Sequence, residues 1–167
     1  VYLFFVLTMF SRLLNIDTLD MVKDIQKVEV GIEEEQEINN ATTISLVGDI
    51  FMDGSIRALI DRNGIDYPWE MVKEYFQNDD ISIGNLETSI TTRGKKWEDK
   101  QFNFRSDPKN LKAMKEVSLD VVSLANNHSL DYGYEGFLDT LDYLDKYEIN
   151  RVGGGRNREE ALKGLIL

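Results

Sequence analysis

The segment LDVVSLANNHSLDYGYEGFLDTLDYLDKYEINRVGGG (119–155) contains a strand, a helix and another strand in succession. Its apolar run over 119–127 is typical of a strand covered on both faces, and INRVGGG (149–155) indicates a further strand that ends in a glycine turn. Between them, residues 136–147 place Phe137, Leu138, Leu141 and Leu144 on one side of a helix. A strand that leads through a helix to another strand indicates a parallel sheet.

The same alternation begins at residue 43. TISLVGD (43–49) and DISIGNLE (80–87) predict two earlier buried strands, and residues 55–62 and 69–76 predict helices between them. Asp107 and Pro108 open a third helix, since Asp caps free N–H groups and Pro suits the first turn. Residues 88–101 are predicted to be a polar loop, and a last helix is predicted to start at residue 158. The sequence therefore predicts an α/β fold with a mostly parallel sheet flanked by helices.

Residues 1–42 have a different composition from the rest. VYLFFVLTMF (1–10) is apolar, and residues 1–14 are predicted to be the remnant of a signal peptide or membrane anchor, with a buried strand or helix of the fold as the alternative. Residues 15–42 are predicted to be an acidic linker, since eight acids stand against two lysines there. The predicted domain spans 43–167, and the predicted location is the extracytoplasmic face of the membrane, or outside the cell.

Charge and cysteine content exclude several kinds of site. The formal net charge is -11, which argues against a nucleic-acid-binding protein because affinity for phosphate backbones comes mainly from Lys and Arg. The chain has no cysteine, so disulfides and thiolate chemistry are excluded. Any bound metal would therefore be held by oxygen and imidazole ligands.

Polar side chains follow three of the predicted strands. They are Asp49 after the first strand, Asn85 and Glu87 at the second, and Asn126, Asn127 and His128 after the third. Because ligands of parallel α/β sheets bind beyond the carboxyl ends of the strands, this edge is the predicted site. Oxygen ligands with one imidazole suit Mn²⁺, Mg²⁺, Fe²⁺ or Zn²⁺, which would make bound water a nucleophile near neutral pH. Taken singly, each residue could equally be a cap, a turn former or a surface group.

Four segments carry a resemblance to a known family. GDIFMDG (48–54), GNLETSI (84–90), FRSDPKNLKAMKEVSLDVVSLANNHSLDYGYEGFLDTLDYL (104–144) and RVGGGRNREEA (151–161) resemble the CapA family in order and spacing. The resemblance covers residues 43–167 and implies the N-terminal part of a calcineurin-like metallophosphoesterase domain. The segment ANNHSLDYG (125–133) is its most specific part.

The resemblance also implies roles for individual residues. Asp49 matches the family's first metal-binding Asp, and Asn127 and His128 match its Asn-His pair, in which Asn binds metal and His faces the substrate phosphate. Asn85 or Glu87 falls where a bridging carboxylate is expected, with Glu87 preferred because a charged oxygen holds two cations better. Asp131 is expected to orient His128 or to cap the helix entry.

Two departures from the superfamily pattern bear on activity. The usual Asp-x-His start is Asp49-Ile50-Phe51 here, so the histidine of that motif is absent. The family's later histidine motifs also have no counterpart in these residues, which implies that the chain carries part of a dinuclear site.

The resemblance implies a protein of poly-gamma-glutamate capsule synthesis or export, working with that polymer or another anionic surface polymer and with membrane proteins of capsule assembly. One hypothesis is a metal-dependent hydrolase in which His128 assists the leaving group. The alternatives are a polymer-binding or scaffold component without catalysis, and a soluble phosphodiesterase without a capsule role. The loop bases Arg93, Lys95 and Lys96 either contact a polyanion or form an ordinary solvated loop.

Overall fold

The computed structural model of the chain describes residues 41–167. The predicted apolar segment 1–14 and nearly all of the predicted linker 15–42 lie outside these residues. In the described part of the chain, none of the helices is both long enough and apolar enough to cross a membrane.

The described residues contain six strands and five α-helices. The strands are β1 (Ile44–Ile50), β2 (Ile81–Leu86), β3 (Ser89–Ile90), β4 (Arg105–Ser106), β5 (Val121–Ser123) and β6 (Asn150–Val152). The helices are α1 (Gly54–Asn63), α2 (Lys73–Gln77), α3 (Leu111–Glu116), α4 (Gly133–Lys146) and α5 (Arg158–Leu162). Short 3₁₀ turns at Tyr67–Trp69 and Pro108–Asn110 precede α2 and α3.

Four strands form one parallel sheet in the order β1-β2-β5-β6. Strands β3 and β4 form a separate parallel pair. The predicted mostly parallel sheet flanked by helices is confirmed, and the arrangement is consistent with the metallophosphoesterase-type fold that the resemblance implies.

The helices cover one face of the sheet at β2. Ser82, Gly84 and Leu86 are buried, whereas the alternate residues of β2 are only half-buried. The strands of the main sheet lie side by side in chain order, and right-handed crossovers then place the connecting helices on the same face. The apolar core forms under these helices and includes Leu111, Met114, Val122, Leu141 and Leu144.

Strand β1 corrects one prediction. TISLVGD (43–49) was expected to be buried, yet Ile44 is 53% and Leu46 74% exposed. The reason is its position, because β1 lies at the edge of the sheet and its partner β2 is less covered on that face. Burial of this strand is predicted from its apolar run alone, but an apolar run does not specify which elements pack against it.

Other boundaries also differ from the predictions. In place of the expected helix over 69–76, the chain forms a 3₁₀ turn followed by the short helix α2. No side chain caps the N-terminus of the 3₁₀ turn or of α2. The last helix ends at Leu162. The strand expected over 119–127 stops at Ser123, because the Asn126 N–H donates to the Leu124 carbonyl 2.9 Å away and turns the chain out of the sheet.

The predicted polar loop 88–101 begins as buried structure. Residues 88–91 are all buried, and β3 lies within them. The Ile90 N–H donates to the Thr140 hydroxyl of α4 at 2.9 Å. This segment was misread because three hydroxyl residues surround one apolar residue, although hydroxyls are readily buried when they are hydrogen-bonded.

Candidate functional site

The carboxyl ends of β1, β2 and β5 meet at one edge of the sheet. Asp49 is in register with Asn85 on β2, and Asn85 is in register with Ser123 at the end of β5. The turn after β5 then carries Asn126 to His128 back across this edge. The predicted convergence of polar residues from three strands is confirmed by this register.

A chain of amide hydrogen bonds joins the three strand ends. The Asn126 amide donates to the Leu86 carbonyl and to Asn85 Oδ1, both at 3.0 Å. The Asn85 amide in turn donates to Asp49 Oδ1 at 2.8 Å. The Leu86 carbonyl can only accept a hydrogen bond, so the Asn126 atom beside it must be the amide nitrogen. The same nitrogen contacts Asn85, which must therefore present its oxygen to Asn126 and its own nitrogen to Asp49. Asn85 therefore orients the Asp49 carboxylate, and Glu87 is the better candidate for a bridging ligand, as the sequence argument preferred.

The carboxyl groups of Asp49 and Glu87 are neighbours at this edge. Burial raises the pKa of Glu87, and the charge and hydrogen-bonding atoms of Asp49 raise it further, while His128 and Lys100 oppose the shift. The side chain of Glu87 is 21% exposed, so the group remains in contact with solvent. Paired carboxyls that repel each other are stabilised by a shared proton or a cation.

The His128 ring is held by two neighbouring residues. Its Nδ1 lies 2.7 Å from Asp131 Oδ2, and the Phe104 ring stacks on it with centroids 4.0 Å apart. Asp131 is 1% exposed and accepts two further bonds, from the Phe104 N–H at 2.6 Å and from Lys100 Nζ at 2.5 Å. The expected role of Asp131 in orienting His128 agrees with this geometry.

The hydrogen bonds of Asp131 determine the tautomer of His128. An ionised carboxylate only accepts hydrogen bonds, so the short contact requires a proton on Nδ1. Lys100 Nζ also lies 3.1 Å from Nδ1, but it donates to Asp131 Oδ1 and to the Asn127 carbonyl, each at 2.5 Å. In the neutral ring, Nε2 is then the nitrogen without a proton, and it faces Glu87 Oε1 across 3.8 Å, which is too far for a direct hydrogen bond.

Phe51 occupies the sequence position where the superfamily pattern has a histidine. Its ring packs edge-on against Phe104, with centroids 4.6 Å apart. Phe104 in turn stacks on His128. The position therefore supplies an apolar support for the imidazole, through Phe104, in place of a ligand.

The chain's own residues meet the needs of a metal only in part. Among residues 41–167, no three His, Cys, Asp or Glu side chains form a group that could hold a metal ion. The nearby donors are the Asp49 and Glu87 carboxylates and the His128 Nε2. Asn127 follows on the adjoining turn, and it is an exposed residue whose side chain makes no hydrogen bond with another described group. This donor set has the chemistry for a divalent ion, and the metal remains a prediction.

Sequence reasoning missed Lys100 and Phe104. Both lie on the segment between β3 and β4, which shows no helical or strand periodicity. The only signal for Lys100 was a single base between a run of charged residues and the FNF sequence at 102–104. Contacts between residues almost thirty positions apart cannot be read from such a signal.

Residues 43–167 match the protein family described as bacterial capsule synthesis protein PGA_cap. The chain is 32% identical over 140 residues to the capsule biosynthesis protein CapA of Bacillus anthracis, covering 82% of this chain and 34% of that protein. It is 30% identical over 128 residues to the PGA biosynthesis protein CapA of Bacillus subtilis (strain 168), covering 76% and 34%. It is also 37% identical over 103 residues to a probable polyglutamine synthesis accessory protein of Mycobacterium tuberculosis, covering 60% and 27%. The chain thus spans about a third of the length of the curated relatives it matches.

Proposed function

The chain belongs to the PGA_cap family of bacterial capsule synthesis proteins, and from that membership we propose that it serves the synthesis or export of a poly-gamma-glutamate capsule. The observation that carries the proposal is the family match over residues 43–167, which includes every described strand and the whole strand-end site. The proposed setting is the extracytoplasmic side of the cell membrane, in contact with the polymer and with membrane proteins of capsule assembly.

A genetic experiment tests this role. The gene encoding the chain is deleted from its natural host, and cell-associated polyglutamate is measured as glutamate released by acid hydrolysis. We expect the polymer to fall at least tenfold and to return when the wild-type gene is restored. A host that makes the same amount of polymer after deletion would refute the capsule role. Cell fractionation of the restored protein, with membrane and culture-fluid markers, tests the proposed location.

We further propose that the strand-end site binds a divalent ion through Asp49, Glu87 and Asn127. What supports this is the raised pKa of Glu87, caused first by burial and then by the neighbouring Asp49 carboxylate, whose repulsion a cation would relieve. When bound, such an ion lowers the pKa of coordinated water and polarises a phosphoryl oxygen. His128 contributes a nitrogen that can take or give a proton, because Asp131 keeps the proton on Nδ1 and leaves Nε2 facing the site.

Calorimetry with Mn²⁺ alone tests the metal site. We expect the purified chain to bind the ion, and Glu87→Gln to weaken binding at least tenfold because it removes one charge from the pair. Asp142→Asn is the matched control, since it also removes one carboxylate, and Asp142 is 65% exposed on α4. Equal affinity in wild type and Glu87→Gln, or no binding by the wild type, would overturn the proposal.

A role without catalysis is the second candidate. The observation in its favour is that residues 41–167 hold no group of three or more His, Cys, Asp or Glu side chains suited to a metal. In this case the same edge binds polymer or a partner protein. Hydrolysis of a generic phosphodiester separates the two candidates, because only the hydrolase would lose turnover in His128→Ala while still binding Mn²⁺.

A further inference from the structure

The loop after β3, together with the first residue of β4, is a local concentration of positive charge. Residues 93–105 contain five basic and two acidic residues, in a chain whose formal net charge is -11. Long acidic molecules are repelled by most of this protein, so a basic segment is where one could approach. We refer to residues 93–105 as the basic segment.

Three of its five bases are occupied by neighbouring side chains. Arg93 pairs with Glu135 and Asp139, and Lys100 pairs with the buried Asp131. Arg105 lies over the ring of Tyr132, 4.5 Å from its centroid. Lys95 and Lys96 are both exposed, and neither pairs with an acidic group among the described residues. These two ammonium groups are the cations available to a ligand.

The backbone beneath these lysines is anchored on both sides. The Trp97 N–H donates to the Asp131 carbonyl at 2.8 Å and to Asn103 Oδ1 at 3.0 Å. The Asn103 amide returns bonds to the carbonyls of Trp97 at 3.1 Å and Lys100 at 3.0 Å. On the other side, Gly94 lies so close to the Tyr132 carbonyl that a Cβ there would be 2.2 Å from the oxygen. An anchored backbone reduces the entropy lost when a ligand binds.

Two aromatic rings accompany the lysines. Trp97 is 54% and Phe102 59% exposed, although both belong to this hydrogen-bonded segment. Exposed aromatic rings offer apolar faces to a ligand that also has methylene groups. A gamma-linked glutamate chain presents one carboxylate and a two-carbon methylene spacer in every repeat, which suits alternating ammonium and ring contacts.

We propose that the basic segment is a docking site for a polycarboxylate chain, with Lys95 and Lys96 pairing with carboxylates and Trp97 and Phe102 packing on the spacers. Its identification with poly-gamma-glutamate rests on the proposed capsule function. The site adjoins the strand-end site, because Lys100 of the same segment contacts Asp131 and the Asn127 carbonyl.

Tryptophan fluorescence of the whole chain gives a direct measure of binding. Of the two tryptophans, Trp69 is 7% exposed and Trp97 is 54% exposed, so acrylamide quenching reports mainly on Trp97. Purified poly-gamma-glutamate is the probe. We expect it to protect Trp97 from quenching, with an affinity that falls as salt is added.

Charge reversal at the two lysines tests the site itself. We expect Lys95→Glu with Lys96→Glu to weaken binding at least tenfold. The matched control is Lys73→Glu with Lys163→Glu, which makes the same change in net charge on α2 and after α5, and we expect less than a threefold effect. Circular dichroism of each variant establishes that it is folded. Equal loss in both double variants, or no loss in the first, would overturn the proposal.

Two comparisons identify the ligand class and separate this proposal from the capsule role. Single-stranded DNA bound as tightly as poly-gamma-glutamate would overturn the assignment to polycarboxylates. If the purified chain binds poly-gamma-glutamate through Lys95 and Lys96, but deleting the gene does not change the host's polymer level, the docking site is upheld and the capsule role is refuted. Lost polymer after deletion with no binding by the purified chain would do the reverse.

Discussion

Replacing Asp131 by Asn removes the charge that holds the His128 ring while keeping the shape of the side chain. The carboxylate accepts from Lys100, from the Phe104 N–H and from His128 Nδ1, and it is 1% exposed. An amide has one oxygen for these three donors, so at least one donor faces an NH₂ group. Lys100 is 25% exposed and can turn partly to water, which lowers the cost.

The expected loss is about 2–3 kcal/mol of unfolding free energy, since an unsatisfied buried donor costs about 1–3 kcal/mol and loss of a charged partner costs more. Urea unfolding followed by circular dichroism measures it. Asp142→Asn is the control, because Asp142 also pairs with a basic side chain, Arg156, but is 65% exposed, and a change within about 0.5 kcal/mol is expected. An unchanged urea midpoint in Asp131→Asn would refute the argument that this carboxylate anchors the site.

A second measurement on the same variant separates orientation from stability. His128 is the only histidine in the chain, so the nitrogen NMR spectrum of its ring has no overlap from other residues. We expect wild type to carry the neutral-ring proton on Nδ1, and Asp131→Asn to shift part of the population to Nε2. A role in stability alone would leave the tautomer of the folded protein unchanged.

Two further outcomes follow from the segment that begins at Arg93. The hydrogen bond from Arg93 is the main cause that lowers the pKa of Asp139 in the folded protein. The ionised carboxylate therefore stabilises the fold at pH values above its unfolded pKa of about 3.9, and this stabilisation is lost as the pH falls through the lower folded pKa. Arg93→Gln should therefore lower the unfolding free energy near pH 7 only slightly, because Arg93 is 61% exposed and solvent screens the pair. The difference from wild type should shrink near pH 3. A constant difference in urea titrations at both pH values would contradict this. Gly94→Ala should lower the unfolding free energy by about 1–3 kcal/mol in the same titration, because φ is +76° and the new Cβ meets the Tyr132 carbonyl. Gly164→Ala is the control, since it has open space around it and should change the unfolding free energy little. Equal effects of the two substitutions would argue against the close approach of Gly94 to Tyr132.

Local patterns were sufficient to predict the elements that pack on the core. The helix over 136–147 is confirmed as α4, whose Leu141 and Leu144 are fully buried, and the cap at Asp107 is confirmed by its bond to the Lys109 N–H at 2.9 Å. Burial of β1 could not be predicted, since it depends on which strands and helices lie beside it and those are set by topology. The early end of β5 depends on the bond from the Asn126 N–H to the Leu124 carbonyl, and the Asn126 side-chain amide is in turn held by β2, which the local sequence does not show.

In the candidate site, too, some residues were predictable from local sequence and others were not. The strand-end residues were found because strand direction places them at one edge, a rule that needs only the alternation of elements. Lys100 and Phe104 were not found, because each reaches His128 from a segment without periodicity. The two amides of Asn85 and Asn126 look like turn formers in sequence, and only their geometry shows that they connect three strands to Asp49.

The exposed side of β1 has a practical consequence for handling the protein. Among residues 41–167, β1 is an edge strand with Ile44 and Leu46 open to water, so it offers both unpaired backbone groups and an apolar surface, the two features that let strands of different molecules add to one another. Solutions of residues 41–167 should therefore form oligomers as concentration rises. A lysine in place of Leu46 is the substitution that would keep concentrated samples monodisperse while leaving the strand-end site untouched.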